Sequence, residues 1–321
     1  MKKKPFIITI DTEGDNLWDY KLGNPITTEN AKFLRRFQQL CDKYGFKPTY
    51  LVNYEMANSK DFVDFAKETL SYGGCEIGMH LHAWNNPPEF SLKERDDGCK
   101  SGLPYITEYD VKSIKQKIDA LTTIIRDRIG VIPVSHRAGR WAMNEIYAKA
   151  LEESGYKYDC TVTPLKSWKD CPGYSDSSYG NDYSKETNRI ASLHRTDIKE
   201  FPFQGYKNHR IKIENIHSVR SFIKNIFYAW KRNEVIYLRP NGHNLNDLLY
   251  IVKKNSKSSQ KYLMFMLHSS EFMPGGSPTF TNSDKIEKLY SDLSKLFNLI
   301  AQKYYGATLC ELGESFNKKK H

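Results

Sequence analysis

The chain has 321 residues, of which 39% are apolar and 27% charged, and 48 basic against 38 acidic side chains give a net charge of +10. That length holds one large α/β domain or two ordinary ones, and the apolar share excludes a disordered chain. The basic excess suits polyanionic surroundings, peripheral contact with an anionic membrane among them. Its lysines are dispersed apart from clusters at residues 2–4 and 318–320, with no nucleic-acid-binding motif between, so a solvated basic surface without a specific nucleic-acid partner is expected.

The lysines at the N-terminus and the apolar run that follows resemble the start of a secretory signal. Asp11, Glu13 and Asp15 break that run early, so it reads as a buried first strand over 6–11. Phe33, Leu34, Phe37, Leu40 and Cys41 then recur at helical spacing and predict a helix over 30–44, stopped by Gly45. A strand over 49–53, a helix over about 61–72 and a strand over 76–82 follow. Residues 84–109 are rich in Pro, Asn, Asp and Gly and read as a long loop. Beyond it come a helix over 110–128, a strand near 134–137, a helix over 144–154 and a strand over 158–162. Residues 164–189 lose all periodicity and form a second long loop, the candidate lid or specificity loop.

The remainder alternates again: strand 199–203, helix 219–232, strand 235–239, helix 245–254, strand 262–268, helix 283–304 and a last strand over 307–311. No stretch reaches the length of a membrane span. Six scattered cysteines without CxxC spacing fit reduced thiols, so a cytoplasmic location is expected. Strands alternating with helices throughout imply one α/β domain over residues 1–321, its parallel sheet either doubly wound or closed as a barrel.

Chemistry-bearing residues gather at strand ends. Asp11 and Glu13 stand two apart at the end of the first strand, and His80 and His82 repeat the arrangement at the end of the third. Alternate residues of a strand share a face, and the C-terminal edge of such sheets is where ligands bind. Each pair has a bland reading, a turn for Asp-x-Glu-Gly and hydrogen-bonded core imidazoles for His-x-His. Together they make a site for a divalent metal, zinc or iron(II) by donor type. Arg137 and Arg140 leave the fourth main strand and suit a carboxylate or a charged substrate. His268, at the end of an apolar strand, is positioned for a general acid. Trp84 and Trp141 add flat apolar surfaces near these strand ends.

In order, Thr9-Ile10-Asp11-Thr12-Glu13-Gly14, Glu76-Ile77-Gly78-Met79-His80-Leu81-His82, His136-Arg137-Ala138-Gly139-Arg140-Trp141 and Met266-Leu267-His268 resemble the NodB-type polysaccharide deacetylases, carbohydrate esterase family four. The likeness is greatest to a branch associated with bacterial surface-polysaccharide genes, and it spans residues 9 to about 275. It implies a deformed (β/α)7 barrel and a zinc-dependent hydrolase acting on an acetylated sugar; a cytoplasmic enzyme would meet that sugar as a nucleotide sugar or a lipid-linked glycan. It further implies Asp11 as catalytic base, Glu13 and His80 as metal ligands, Arg137 as the residue positioning the base, and His268 as the group that protonates the leaving group. The family's second metal histidine comes four residues after the first, where this chain has Trp84, so His82 is expected to take that role. Glu13 stands where Asp is usual, and Gly139-Arg140-Trp141 replaces an aromatic-proline motif. Two alternatives remain open: a catalytically silent glycan-binding barrel, and an amide hydrolase acting on a non-sugar substrate such as a cyclic imide or formamide.

Overall fold

The structure, a computed structural model, describes residues 3–18, 24–88, 103–174, 178–208 and 234–317, together with two short strands at 93–94 and 100–101. The helix expected over 219–232 lies outside the described residues, as do Cys99, lysines 318–320 and parts of both long loops.

Seven strands form one parallel ladder, each passing through the barrel wall once. They are β1 (Lys4–Thr12), β2 (Pro48–Val52), β3 (Glu76–Leu81), β6 (Ser135–Ala138), β7 (Tyr158–Asp159), β9 (Lys199–Glu200) and β12 (Leu263–His268), in the spatial order β12-β1-β2-β3-β6-β7-β9. Short strands complete the set. β4 (Lys93–Glu94) and β5 (Lys100–Ser101) pair with each other, β8 (Ala191–Ser192) lies antiparallel on β9, β10 (Tyr206–Lys207) pairs with β11 (Val235–Ile236), and β13 (Tyr304–Gly306) extends β1. Helices α1 (Leu34–Lys43), α2 (Tyr54–Asn58), α3 (Lys60–Ser71), α4 (Val111–Ile129) and α5 (Glu145–Glu153) fill the first crossovers, and helices Leu245–Ser256 and Ser283–Lys303 the later ones. This is the α/β architecture of a deformed (β/α)7 barrel.

Strand periodicity divides the core in two. Phe6, Ile8 and Ile10 of β1 face outward, packing with Phe37, Phe297 and the other helix residues. Ile7 of the same strand faces inward with Leu51, Met264 and Met266. Thr9 and Asp11 follow Ile7 at the same two-residue step, so the inner face becomes polar toward the C-terminal mouth. The barrel is incomplete between β9 and β12. There one main-chain bond, Met266 N to Leu238 O at 3.3 Å, is supplemented by the buried amide of Gln204: Nε2 donates to Tyr262 O at 3.0 Å, and Met264 N donates to Oε1 at 3.2 Å.

The opposite end of the barrel corrects one expectation. Residues 307–311 do not form a strand; Leu309–Asn317 is a helix that plugs the floor. Leu309, Leu312 and Phe316 recur at helical spacing and pack with the inner core, while Cys310 N at the helix start donates to the buried Glu76 carboxylate at 2.9 Å. A five-residue stretch is too short for periodicity to separate strand from helix. Helix α2 was also not anticipated; Asn53 caps it by accepting from Met56 N. The five described cysteines form no disulfide. Among the described residues no helix is long and apolar enough to cross a membrane.

Candidate active site

Register brings the polar strand ends together. Asp11 pairs across the ladder with His268, and His80 with Arg137. Glu13, two residues beyond Asp11, is anchored by its main chain: its N–H donates to Ser269 Oγ at 3.0 Å and its carbonyl accepts from Asn30 Nδ2 at 2.8 Å. Its carboxylate meets two imidazoles, with Oε2 at 2.7 Å from His82 Nε2 and 3.4 Å from His80 Nε2. The donor atoms of Glu13, His80 and His82 all lie within 4.8 Å of one another, the only such group among the described residues.

Asp11 lies beside this group and is fixed from below. Arg137, wholly buried inside the barrel, donates from Nη1 to Asp11 Oδ1 at 2.5 Å, from Nη2 to Thr9 Oγ1 at 2.8 Å and from Nε to Cys160 O at 3.1 Å. Asp11 Oδ2 is left facing His80 Nε2 at 3.8 Å and His268 Nε2 at 3.9 Å. Burial raises the Asp11 pKa, but the Arg137 charge, followed by His80 and His268, outweighs it and holds the carboxyl below its ordinary range. Glu13 sits well below the usual value in the same way: hydrogen bonds from His80 and His82 overcome its burial.

His268 closes the ring of groups, with Nε2 3.7 Å from Glu13 Oε1. Its other nitrogen, Nδ1, is 3.0 Å from Arg239 Nη2 and 3.2 Å from Glu271 Oε2, while Glu271 Oε2 also accepts from His268 N at 2.8 Å. Trp18 packs its edge on His268 with ring centres 5.0 Å apart and donates to Ser270 Oγ. Trp18 comes from an irregular segment without a periodic signal; Arg239 ends the strand expected over 235–239, of which the structure forms only Val235–Ile236, and Glu271 lies three residues past His268.

The donor set suits a divalent metal. His80 Nδ1 is 2.9 Å from the Arg137 carbonyl, which can only accept, so Nδ1 carries a hydrogen; Nε2 faces Glu13 and, when the ring is neutral, turns its lone pair there. A lone pair facing a carboxylate at 3.4 Å requires a proton or a cation between them. Two imidazoles and one carboxylate on a buried edge match zinc.

No family model matches the chain, and no curated protein matches it. Solved structures do. The structure of a Mycobacterium smegmatis protein named as a polysaccharide deacetylase aligns over 99% of this chain and 92% of its own, with TM-score 0.53 and 13% identity. The chain has the polysaccharide deacetylase fold. That barrel is shared more widely: a GH57 branching enzyme from Thermococcus kodakaraensis aligns over 98% of this chain and 72% of its own, with TM-score 0.55 and 11% identity. A 4-alpha-glucanotransferase from Thermococcus litoralis aligns over 98% of this chain with TM-score 0.52 and 12% identity, and the match spans 40% of that protein. The fold therefore leaves the reaction open, and the side chains at the mouth must separate the readings.

Of the three residues expected to meet substrate on this deacetylase-type barrel, Trp141 lines the open cleft beside the site. Trp84 packs against His82 with ring centres 6.1 Å apart, and Arg140 lies over the Tyr105 ring at 5.6 Å; neither is part of the cleft wall. The start of the 84–109 loop is held by the buried Lys117, whose Nζ donates to Asn86 O and Pro88 O. The 164–189 loop is anchored through Leu165 N to Tyr183 O and Trp168 N to Asn181 O, and it supplies part of the cleft wall.

Proposed function

We propose that this protein is a divalent-metal-dependent hydrolase that removes an acetyl group from an acetylated sugar in surface-polysaccharide biosynthesis, in a cytoplasmic setting consistent with the free cysteines among the described residues. The observation that carries the reading is the convergence of Glu13, His80 and His82 beside a separate Asp11–Arg137 pair, with His268 facing both carboxylates.

Glu13, His80 and His82 would hold the metal, zinc by donor type. When bound, such an ion supplies Lewis acidity toward the acetyl carbonyl and the attacking water. Asp11 accepts the proton of that water through Oδ2, since Oδ1 is occupied by Arg137. Arg137 keeps Asp11 ionised and oriented. His268 delivers a proton from Nε2 to the departing sugar nitrogen or oxygen, steadied at Nδ1 by Arg239 and Glu271.

Glycoside cleavage is the competing chemistry for this barrel. It needs a carboxylic acid with a raised pKa to protonate the leaving oxygen. Asp11 and Glu13 are both shifted the other way, which favours base and ligand roles over an acid role.

The test is acetate release from a panel of N- and O-acetylated sugars, run beside formamides and cyclic imides. Zinc-loaded wild type should release acetate; Asp11→Asn should abolish release and retain the metal, and His268→Ala should lower kcat by about 10²–10⁴. Full activity in Asp11→Asn, or turnover of the imides alone, would reject the assignment.

A further inference from the structure

Glu13 and Ser269 are the first residues beyond two neighbouring strands, β1 and β12, whose ladder ends at the Asp11–His268 pair. Beyond that pair one hydroxyl takes over the main-chain groups of Glu13. Ser269 Oγ accepts from Glu13 N at 3.0 Å, donates to Glu13 O at 3.0 Å and accepts from Asn30 Nδ2 at 2.8 Å. A hydroxyl has one hydrogen and two lone pairs, so its whole bonding capacity is committed. Asn30 gives its other amide hydrogen to Glu13 O at 2.8 Å, and its own N–H donates to Asp15 Oδ2 at 3.2 Å. Ser269 and Asn30 are both fully buried, where water does not replace a missing bond.

The turn that carries Ser269 is attached at every residue. Ser269–Phe272 is one turn of 3-10 helix directly after His268. Ser270 Oγ accepts from Trp18 Nε1 at 3.0 Å, and Trp18 packs on the His268 ring. Glu271 Oε2 accepts from His268 N at 2.8 Å. Phe272 stacks on Phe37 with ring centres 4.3 Å apart, which ties the turn to the outer core. The residue that grips Glu13 is therefore one peptide bond from His268, in a segment with little freedom to move.

A glutamate at position 13 needs such a grip. It has one more rotatable bond than aspartate, so its carboxylate sweeps a wider arc unless its main chain is fixed. A misplacement of about 1 Å is enough to spoil a metal site or a proton transfer. We propose that Ser269 is a positioning residue that fixes the metal carboxylate of Glu13 relative to the proton donor His268, with Asn30 as its support. The proposal rests on the metal and acid roles assigned above, and Ser269 acts only through those two neighbours.

Zinc affinity by chelator competition and the visible spectrum of cobalt-loaded protein, both measured without substrate, test it. Ser269→Ala should weaken zinc binding about tenfold or more and shift the cobalt bands. Asn30→Ala leaves the hydroxyl two of its three bonds and should weaken zinc binding by less. Thr69→Ala is the control: it removes a comparably buried hydroxyl bond, Thr69 Oγ1 to Phe65 O, within helix α3, and should leave affinity and bands at wild type. With zinc saturating, Ser269→Ala should also show a lowered kcat at near-wild-type KM, because the displaced imidazole serves the departing atom. Wild-type affinity and bands in Ser269→Ala would overturn the proposal, as would equal losses in Thr69→Ala. Should Ser269→Ala fail to fold, Asn30→Ala carries the test, and wild-type zinc affinity there would overturn it. The two failures can be told apart. A wild type that takes up no zinc would remove the metal reading itself; zinc bound alike by wild type and Ser269→Ala would remove the positioning role alone.

Discussion

Gly139 lies directly against His82: a Cβ on Gly139 would come within 2.8 Å of His82 Nδ1 and 2.7 Å of Leu81 O. The absent side chain is what lets His82 stand where its Nε2 reaches Glu13. Gly139→Ala should therefore displace His82, lowering metal occupancy at a stability cost of about 1–3 kcal/mol. Metal analysis beside denaturant unfolding checks this. Unchanged occupancy would mean that His82 is not held by that contact.

The two imidazoles are not equally supported. His80 donates from Nδ1 to the Arg137 carbonyl, whereas His82 Nδ1 is buried with no hydrogen-bond partner among the described residues. An outer-sphere partner orients a ligating histidine and commonly changes metal affinity by about 10–100-fold. His80→Ala should thus weaken zinc binding at least tenfold more than His82→Ala, as read by chelator competition. Trp84→Ala should leave zinc affinity near wild type, since that side chain stands beside His82 and outside the donor group.

Arg137 is wholly buried and pairs with the buried Asp11. Removing one partner strands the other charge, so Arg137→Leu should cost about 3–5 kcal/mol of folding stability. Adding Asp11→Asn to that variant should recover part of the loss, because the stranded carboxylate is then gone. A double variant no more stable than Arg137→Leu would contradict the pairing account.

A second buried carboxyl pair, Asp159 and Glu200, lies near the ends of β7 and β9. Burial, then the charge of Asp159, raises the Glu200 pKa well above the ordinary carboxyl range. Asp159 sits below it in spite of burial, held by hydrogen bonds from Glu200 and from His136, whose Nδ1 donates to Asp159 Oδ2 at 2.5 Å. A raised folded-state pKa contributes stability that is complete below the unfolded value and is lost as pH rises through the folded value. Glu200 should therefore make the protein lose stability as pH climbs above about 4 to 5, the ordinary glutamate range. Glu200→Gln keeps a donor toward Asp159 and an acceptor for Val162 N, which Glu200 Oε1 now takes at 3.0 Å. The variant should show a flatter stability–pH profile and higher stability above neutrality. Urea unfolding across pH 5 to 9 measures it, and an unchanged slope would reject the raised Glu200 pKa.

Much of this was legible in the sequence because it follows the two-residue period of a strand. Asp11 with Glu13, and His80 with His82, show their common face as soon as β1 and β3 are recognised, and Arg137 and His268 end strands whose apolar runs are evident. What escaped was set by tertiary context. Trp18 sits in an aperiodic segment, and Arg239 at the end of a strand shorter than the one expected over 235–239; both become informative only through their contacts with His268. Gln204 helps close the barrel gap with a side chain where a strand was the natural expectation. The floor helix was misjudged because its first residues are apolar and β-compatible, while the Tyr158 ring against Gly313 and the Glu76 carboxylate at its N-terminus exist only in the folded barrel.

Anomalous scattering from zinc-soaked crystals, measured on both sides of the zinc absorption edge, would test the metal centre most directly. A single strong peak should lie about 2.0–2.2 Å from a Glu13 carboxylate oxygen and from a ring nitrogen of both His80 and His82. A fully soaked crystal with no peak among these three side chains, or with Glu13 still bonded to His82 and zinc bound elsewhere, would contradict the account.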